Sequence, residues 1–259
     1  MLQTDTLILG GGYAALGCAC VCPDSLLLVE HEALGDDYSG VLRPAAPGEA
    51  PATEEGKELR AFFLAHHALD GAGRVDVLRA TTAVCRFARD KGVRALLDTA
   101  LVEVRADEGG YLATCVTANG LREIRAAHLL DVTARRISCR PAARLIENRL
   151  HLVCSGPSEA APRLGNADVR PGAVPREWFV TFSFAPETEL PAARLDVQTR
   201  WQQAFPTGEY HIDAMGADFD PVALESGMPG ICAWLAPHGA CDPIGAFERG
   251  VQWAKEGRA

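Results

Sequence analysis

Three consecutive glycines, Gly10-Gly11-Gly12, are followed by Tyr13-Ala14-Ala15 and stand between two apolar runs. The runs are Thr6-Leu7-Ile8-Leu9 and Leu26-Leu27-Leu28-Val29, and the second ends on Glu30, with His31 next to it. Residue types in this order suit one kind of chemistry. Gly10 permits a tight turn out of a strand, and Gly12 lets the backbone come close to a pyrophosphate. Ala15 is small enough for a helix to pack closely on that strand. A helix beginning at Tyr13 points unpaired N–H groups and the positive end of its dipole at phosphates. Glu30, twenty positions after Gly10, is placed to accept hydrogen bonds from ribose hydroxyls. An acid there favours a free 2′-hydroxyl, hence FAD or NAD over NADP. A glycine-rich turn in an ordinary α/β domain explains the glycines but not Glu30.

The other reactive residue types form weaker patterns. Nine cysteines are scattered through apolar stretches, an odd count with no zinc-ribbon spacing and no Cys-x-x-Cys pair. They read as reduced thiols, not as a disulfide framework or a dithiol relay. Cys18, Cys20 and Cys22 fall on or just past the first helix, where alternate residues point to nearly opposite sides. They are expected to pack, not to hold a metal, and no metal site is expected. His211 and Asp213 share one face of a strand, and His66-His67 sit late in a helix; both read as ordinary polar placements.

The elements that must position the glycine turn follow from the pattern around it. Strand, turn, helix and strand over residues 6–29 predict two buried parallel strands. Residues 35–56 are rich in Gly, Pro, Asp and Ser and read as loop. Thr53-Glu54-Glu55 opens a helix to about His67. A clearer helix covers about Val75 to Lys91, with Val77, Thr81, Val84, Phe87 and Ala88 on one stripe and Gly92 just beyond its end. Short strand-like runs follow at Ala95–Leu97, Leu101–Arg105, Tyr111–Thr117, Leu121–Arg125 and His128–Val132. Gly109-Gly110 and Asn119-Gly120 are the turns between them. This predicts a three-stranded antiparallel meander before a final buried strand. Beyond residue 141 the prolines multiply. A strand at Trp178–Phe184, a helix at Pro191–Phe205 and a strand at Tyr210–Met215 predict a small sheet-and-helix insert. A strand at Ile231–Leu235 breaks at Pro237-His238-Gly239. A last helix then starts with Asp242 as N-cap and Pro243 at its first position.

Composition bounds the function classes. The 259 residues carry a formal charge of -9, with 48% hydrophobic residues and no Lys/Arg run. This argues against nucleic acid as a partner. Leu7–Cys22 is apolar but lacks a basic flank, is interrupted by the glycines, and falls short of a membrane span. A cytoplasmic protein with a small-molecule substrate and no membrane partner is the expectation. Room is left for a protein partner or a homo-oligomer.

With the glycine turn and Glu30 in place, two further segments carry a resemblance. One is Phe87-Ala88-Arg89-Asp90-Lys91-Gly92-Val93 leading to Leu96-Leu97-Asp98-Thr99-Ala100-Leu101. The other is Leu129-Leu130-Asp131-Val132-Thr133-Ala134 after the meander. Together they resemble the FAD-dependent oxidoreductases of the glutathione-reductase-type superfamily, over about residues 5–134 and more weakly 228–256. The resemblance implies an α/β fold: a Rossmann-like FAD-binding domain, made of a parallel sheet plus the meander, with a small sheet-and-helix cap insert. Residues 1–140 and 228–259 would form the FAD-binding domain and residues 141–227 the cap. It implies FAD as cofactor, with Leu101 touching the adenine through its backbone and Thr133 and Ala134 near the cofactor. The segment from His238 to Ile244, including Asp242 and Pro243, would lie beside the isoalloxazine, with His238 as the catalytic candidate and Cys241 close by.

The sequence departs from the family pattern at three places. The first helix is short. Ala134-Arg135-Arg136 replaces a glycine followed by small and acidic residues. Ala236-Pro237-His238-Gly239 stands where a Gly-Asp is usual. A second reading is therefore a flavoprotein-fold binding or scaffold subunit without catalysis. An NAD-linked dehydrogenase is a third, and the meander argues against it.

Overall fold

In the computed structural model, described for residues 1–139, 143–157, 159–224 and 232–256, the first strand, β1, spans Leu2–Leu9 and runs straight into the glycine turn. Helix α1 (Tyr13–Val21) follows, then β2 (Ser25–Leu28), whose four residues are all buried. β1 and β2 pair in parallel, Thr6 opposite Ser25 through Leu9 opposite Leu28. Their adjoining stretches Leu7–Leu9 and Leu26–Leu28 are apolar on successive residues because both faces are covered there. Short α2 (Asp36–Ser39), α3 (Glu54–Ala65) and α4 (Val77–Asp90) come next. α3 is capped by Thr53, whose hydroxyl accepts from the N–H of Gly56, and α4 by Asp76, whose carboxylate accepts from Leu78 and Arg79. Gly92, at φ +68°, ends α4. The expected stripe is buried at Val77, Val84, Phe87 and Ala88, but Ala80 and Ala83 are buried where Thr81 is only half-buried.

β3 (Ala95–Leu96) pairs with β2, then β4 (Ala100–Asp107), β5 (Gly110–Thr117) and β6 (Gly120–Asp131) form the meander. One expectation is corrected here. The meander's third strand and the final buried strand are a single 12-residue strand. β6 pairs with β1 in parallel from Ile124 to Asp131. Its opposite edge meets β5 first and then β12 (Ala233–Trp234). A continuous strand keeps its backbone hydrogen bonds through Ala126-Ala127, where the side-chain pattern weakens.

The second sheet is antiparallel, in the order β10-β7-β9-β8, from β7 (Leu145–Ser155), β8 (Asp168–Pro171), β9 (Glu177–Phe184) and β10 (His211–Met215). β11 (Asp220–Ala223) extends the β10 edge of β7. Of these strands, the reading above names β9 and β10 and misses β7, which holds the sheet together. Helix α5 (Leu190–Ala204) covers one face, burying Val180, Phe182, Ala193, Val197 and Trp201 together. From the opposite face, Val153 and Phe179 join the main core against the first sheet's helices. The limits expected at residues 140/141 and 227/228, and Ile231 of the expected strand, lie outside the described residues.

The chain closes with a 3-10 turn at Pro237–Gly239 and α6 (Pro243–Glu256). α6 lies against α1 at glycine contacts. A Cβ on Gly17 would meet the Phe247 carbonyl at 2.0 Å, and one on Gly250 the Ala14 carbonyl at 1.9 Å. The face of α1 that meets α6 carries small residues at Ala14, Gly17 and Cys18 for this reason. No described helix is long and apolar enough to cross a membrane.

Candidate functional site

The glycine turn leads from β1 directly into α1. Gly10 sits at φ +108°, a conformation that side chains disfavour. A Cβ on Gly11 would strike Val29 at 2.5 Å. Tyr13, Ala14 and Ala15 form the buried first turn of α1. The turn opens onto a cavity of about 480 Å³, lined by Gly10–Gly12, Glu30, His31, Thr133 and Ala134 together with Leu28, Leu78 and Val132. Glu30 and His31 are exposed at its edge, and His31 Nε2 lies 3.4 Å from the Asp36 carboxylate. Thr133 is held by Asp131, whose buried carboxylate accepts from the Thr133 N–H (2.8 Å), the Thr133 hydroxyl (2.6 Å) and the Ser138 N–H (2.8 Å). Of the adjacent arginines, Arg135 is exposed and lines the cavity. Arg136 is buried, with its guanidinium 5.5 Å from the centre of the Trp234 ring.

The remaining expected residues lie elsewhere. Leu101 sits in β4 opposite Cys115 and does not line this cavity. Asp242 caps α6, its carboxylate accepting from Ile244 (2.9 Å) and Gly245 (3.0 Å). Asp242, Pro243 and Ile244 are buried, and among the described residues of the C-terminal segment Pro237 alone lines the cavity. His238 faces a second space of about 320 Å³ beside Cys241.

The N-terminus of α1 carries a feature that the sequence reading missed. The Tyr13 N–H points at both oxygens of Asp37, at 3.3 and 3.4 Å. A Cβ on Gly12 would lie 2.6 Å from Asp37 Oδ2. The space left open by the absent Gly12 side chain therefore holds a carboxylate. As an anion on a helix N-terminus, it stands where a phosphate oxygen would bind. Burial, with Asp36 adding to it, pushes the Asp37 pKa up to about 7. The turn thus fits an anionic group, and the Asp37 side chain from α2 fills that role. Asp36-Asp37 directly after a glycine was the available signal; it was read as loop.

A second group of residues forms the wall between the two cavities. Arg43 Nε donates to Asp220 Oδ2 (2.8 Å), Nη2 donates to Oδ1, and Nη1 donates to the Pro237 carbonyl (3.1 Å). His151 Nε2 lies 3.1 Å from Asp220 Oδ2, and its Nδ1 lies 2.8 Å from the Thr181 hydroxyl. Burial lowers the His151 pKa, so the ring is neutral near pH 7. In that state Nε2–H donates to Asp220 and Nδ1 accepts from Thr181. Although burial opposes it, His151 and Arg43 hold the Asp220 carboxyl down at about 2. Arg43 and Asp220 line both cavities, while His151 and Thr181 line the second. No local sequence signal joins residues 43, 151 and 220, because β7, β11 and the loop after α2 meet only in the folded chain.

Cys18 and Cys22 are buried with sulfurs 3.7 Å apart, and no group of metal-ligating residues occurs among the described residues. His66 stacks on Phe62 at 4.0 Å, and Asp213 accepts from Ser155 on an exposed edge.

No protein-family model and no curated protein sequence matches the chain. Solved structures do match in fold. One is the p-nitrophenol 4-monooxygenase PnpA of Pseudomonas putida, at 13% identity and TM-score 0.64, over 100% of this chain and 82% of that one. Another is the anhydrotetracycline hydroxylase OxyS of Streptomyces rimosus, at 16% identity and TM-score 0.64, over 98% and 60%. A third is aklavinone-11 hydroxylase, in a ternary complex with FAD and aklavinone, at 14% identity and TM-score 0.56, over 98% and 62%. The chain thus spans less than two thirds of the two hydroxylases. The fold is the α/β flavoprotein fold of these enzymes.

Proposed function

We propose that the chain binds FAD in the first cavity and is an FAD-dependent oxidoreductase of the glutathione-reductase-type superfamily, acting on a small polar substrate. The observation that carries this is the convergence of three features on one cavity: the Gly10–Gly12 turn, the N-terminus of α1 and Glu30 just past the end of β2. The fold shared with flavin hydroxylases supports it. When bound, the flavin supplies hydride or electron transfer.

The chain's own residues have defined tasks in this reading. The backbone of Gly10–Gly12 and the first turn from Tyr13 to Ala15 receive the pyrophosphate, and Glu30 with His31 receives the ribose. Thr133 and Ala134 border the rest of the cofactor. Residues 141–227 act as the cap, and their sheet presents Arg149, His151, Thr181 and Ser183 to the second cavity, where substrate is held. That lining is polar, so the substrate is taken to be a hydrogen-bonding molecule. His238 lies on the same cavity and is the candidate for proton exchange with it.

The direct test is to purify the protein, record the visible spectrum, denature it and identify the released chromophore. FAD is expected. A non-catalytic dinucleotide-fold subunit is the second reading, and the Asp37 carboxylate on α1 is the observation that favours it. A colourless protein that takes up no added FAD would select that reading.

A further inference from the structure

We propose that Asp37 is an intramolecular competitor for the phosphate position, so that loading of the dinucleotide requires its carboxylate to be neutralised or displaced. This rests on the reading of the first cavity as the dinucleotide site.

Three observations carry the inference. The first is occupancy. Asp37 accepts from the first N–H of α1, and its oxygens lie where a Cβ of Gly12 would be, 2.6 Å away. A phosphate approaching the bare Gly12 backbone and the carboxylate cannot share that space. The second is delivery by the backbone. Gly35, at φ +77°, donates its N–H to the Gly11 carbonyl at 2.8 Å. The α2 turn that carries Asp37 is thereby fastened to the glycine turn, so the contact is built into the loop. The third is charge. Asp36 flanks Asp37 on its own turn, and Asp220 and Arg43 act on it from the cavity wall. Arg43 is already engaged by Asp220. The Tyr13 and Tyr38 phenols and Cys85 also face this corner, burial holds both phenols neutral, and His31 and Glu30 act on Asp36 from the cavity edge. An incoming phosphate therefore meets a carboxylate whose nearest cation is committed elsewhere.

The proton is the economical way out. Protonated Asp37 loses its charge and its hold on the helix N-terminus, and the side chain can leave without exposing an unpaired buried anion. With a pKa of about 7, this exchange falls near neutrality. If only the protonated form admits the ligand, the apparent dissociation constant is the intrinsic one multiplied by the ionised-plus-neutral partition, which makes binding about tenfold weaker at pH 8 than at pH 6. FAD is the suitable probe, because its pyrophosphate diester keeps the same charge across this range.

The test is FAD titration of the full, cofactor-stripped chain by calorimetry and flavin fluorescence between pH 6 and pH 8.5. Wild type is compared with Asp37→Asn and Asp37→Ser. The expected result is that wild type weakens about tenfold between pH 6 and pH 8, while both variants bind more tightly than wild type at pH 8 and show a flat profile. Melting curves of the stripped proteins give a second readout. A carboxylate with a raised folded pKa loses stability as pH rises above its unfolded value of 3.8, and the cost is complete above about 7, so the variants should melt higher than wild type at pH 8 and converge with it toward pH 4. Equal FAD affinities and equal pH profiles in all three proteins would overturn the competitor role while leaving the dinucleotide site intact. Absence of FAD binding in all three at every pH would overturn the dinucleotide reading itself, and the competitor role with it.

Discussion

Asp220→Asn should be the most damaging single substitution in the wall between the two cavities. The side chains of Arg43 and Asp220 are 10% and 3% exposed, and two of the guanidinium nitrogens are donated to the carboxylate. The amide keeps the shape but removes the charge, leaving a buried guanidinium with a neutral partner and the Pro237 carbonyl. Breaking one side of such a pair costs about 3–5 kcal/mol. The carboxylate's own titration gives a lower figure. Its pKa falls from 3.8 to about 2, which corresponds to about 2.5 kcal/mol. The two differ because the depressed pKa is already net of the carboxylate's burial, whereas the substitution also strands the cation. The folded pKa lies below the unfolded one, so this stability is present above about pH 4 and is lost as pH falls through about 2. The gap between wild type and Asp220→Asn should therefore be full at pH 7 and should narrow in acid. Urea unfolding at pH 7 and pH 3 measures it. Arg43→Met alone should cost a comparable amount, and the double variant Arg43→Met/Asp220→Leu should cost less than the sum of the singles, since no charge is left stranded. A loss below about 1 kcal/mol for Asp220→Asn at pH 7, the range of an exposed pair, would refute the reasoning.

Other outcomes follow from the same geometry. Gly250→Ala places a Cβ 1.9 Å from the Ala14 carbonyl. It should destabilise the chain by about 1–3 kcal/mol or more and weaken FAD binding by shifting α1, and unchanged melting with unchanged affinity would contradict this. Glu30→Gln, at an exposed position, should leave the melting temperature nearly unchanged and weaken FAD roughly tenfold, the loss of one charge-assisted hydrogen bond; calorimetry decides. His238→Gln should keep its flavin but alter the pH profile of turnover, because His238 faces the second cavity and not the first. Identical profiles would remove it from the reaction. His151→Gln should flatten the stability profile just below pH 6.5, since a buried neutral imidazole costs stability as pH falls below the unfolded value, and an unchanged urea midpoint between pH 7 and pH 5.5 would argue against a buried ring.

The sequence was most readable where one local pattern served one physical need. Leu7–Leu9 and Leu26–Leu28 are apolar on both faces because both faces are buried, and the glycines between them announce the turn. Gly92 and Asp242 ended and started helices as their chemistry requires. Legibility failed where a face serves a cavity. In β7, Leu150, Leu152 and Cys154 alternate toward α5, but Glu147, Arg149 and His151 interrupt the apolar signal because they line the second cavity. The segment therefore read as part of a proline-rich insert. α2 failed for a different reason. Four residues are too few for a periodicity, and Gly35 and Gly40 at its ends look like loop. Yet this turn carries Asp37, the residue that most changes the reading of the glycine motif.

Charge gives the site its logic. The first cavity is lined by Glu30, Glu32, Asp36, Asp37, Asp218 and Asp220, against Arg43, Arg135 and His31. Of the two arginines, Arg43 is held by Asp220 and by the Pro237 carbonyl. It cannot turn toward a phosphate without stranding Asp220, which His151 alone would then have to hold. Any anion received here must rely on the α1 N-terminus, the backbone of the glycine turn, and Arg135 at the exposed side. That requirement explains why a single carboxylate on α1 carries such weight. With the buried cation committed to the wall, the helix N-terminus is the chief source of positive potential inside the cavity, and Asp37 holds it. The wall and the glycine turn are therefore coupled through Arg43. The pair that fixes the second cavity also denies the first its strongest counter-charge, and in the proposed reading the protonation state of Asp37 is the variable that decides whether a dinucleotide phosphate can enter.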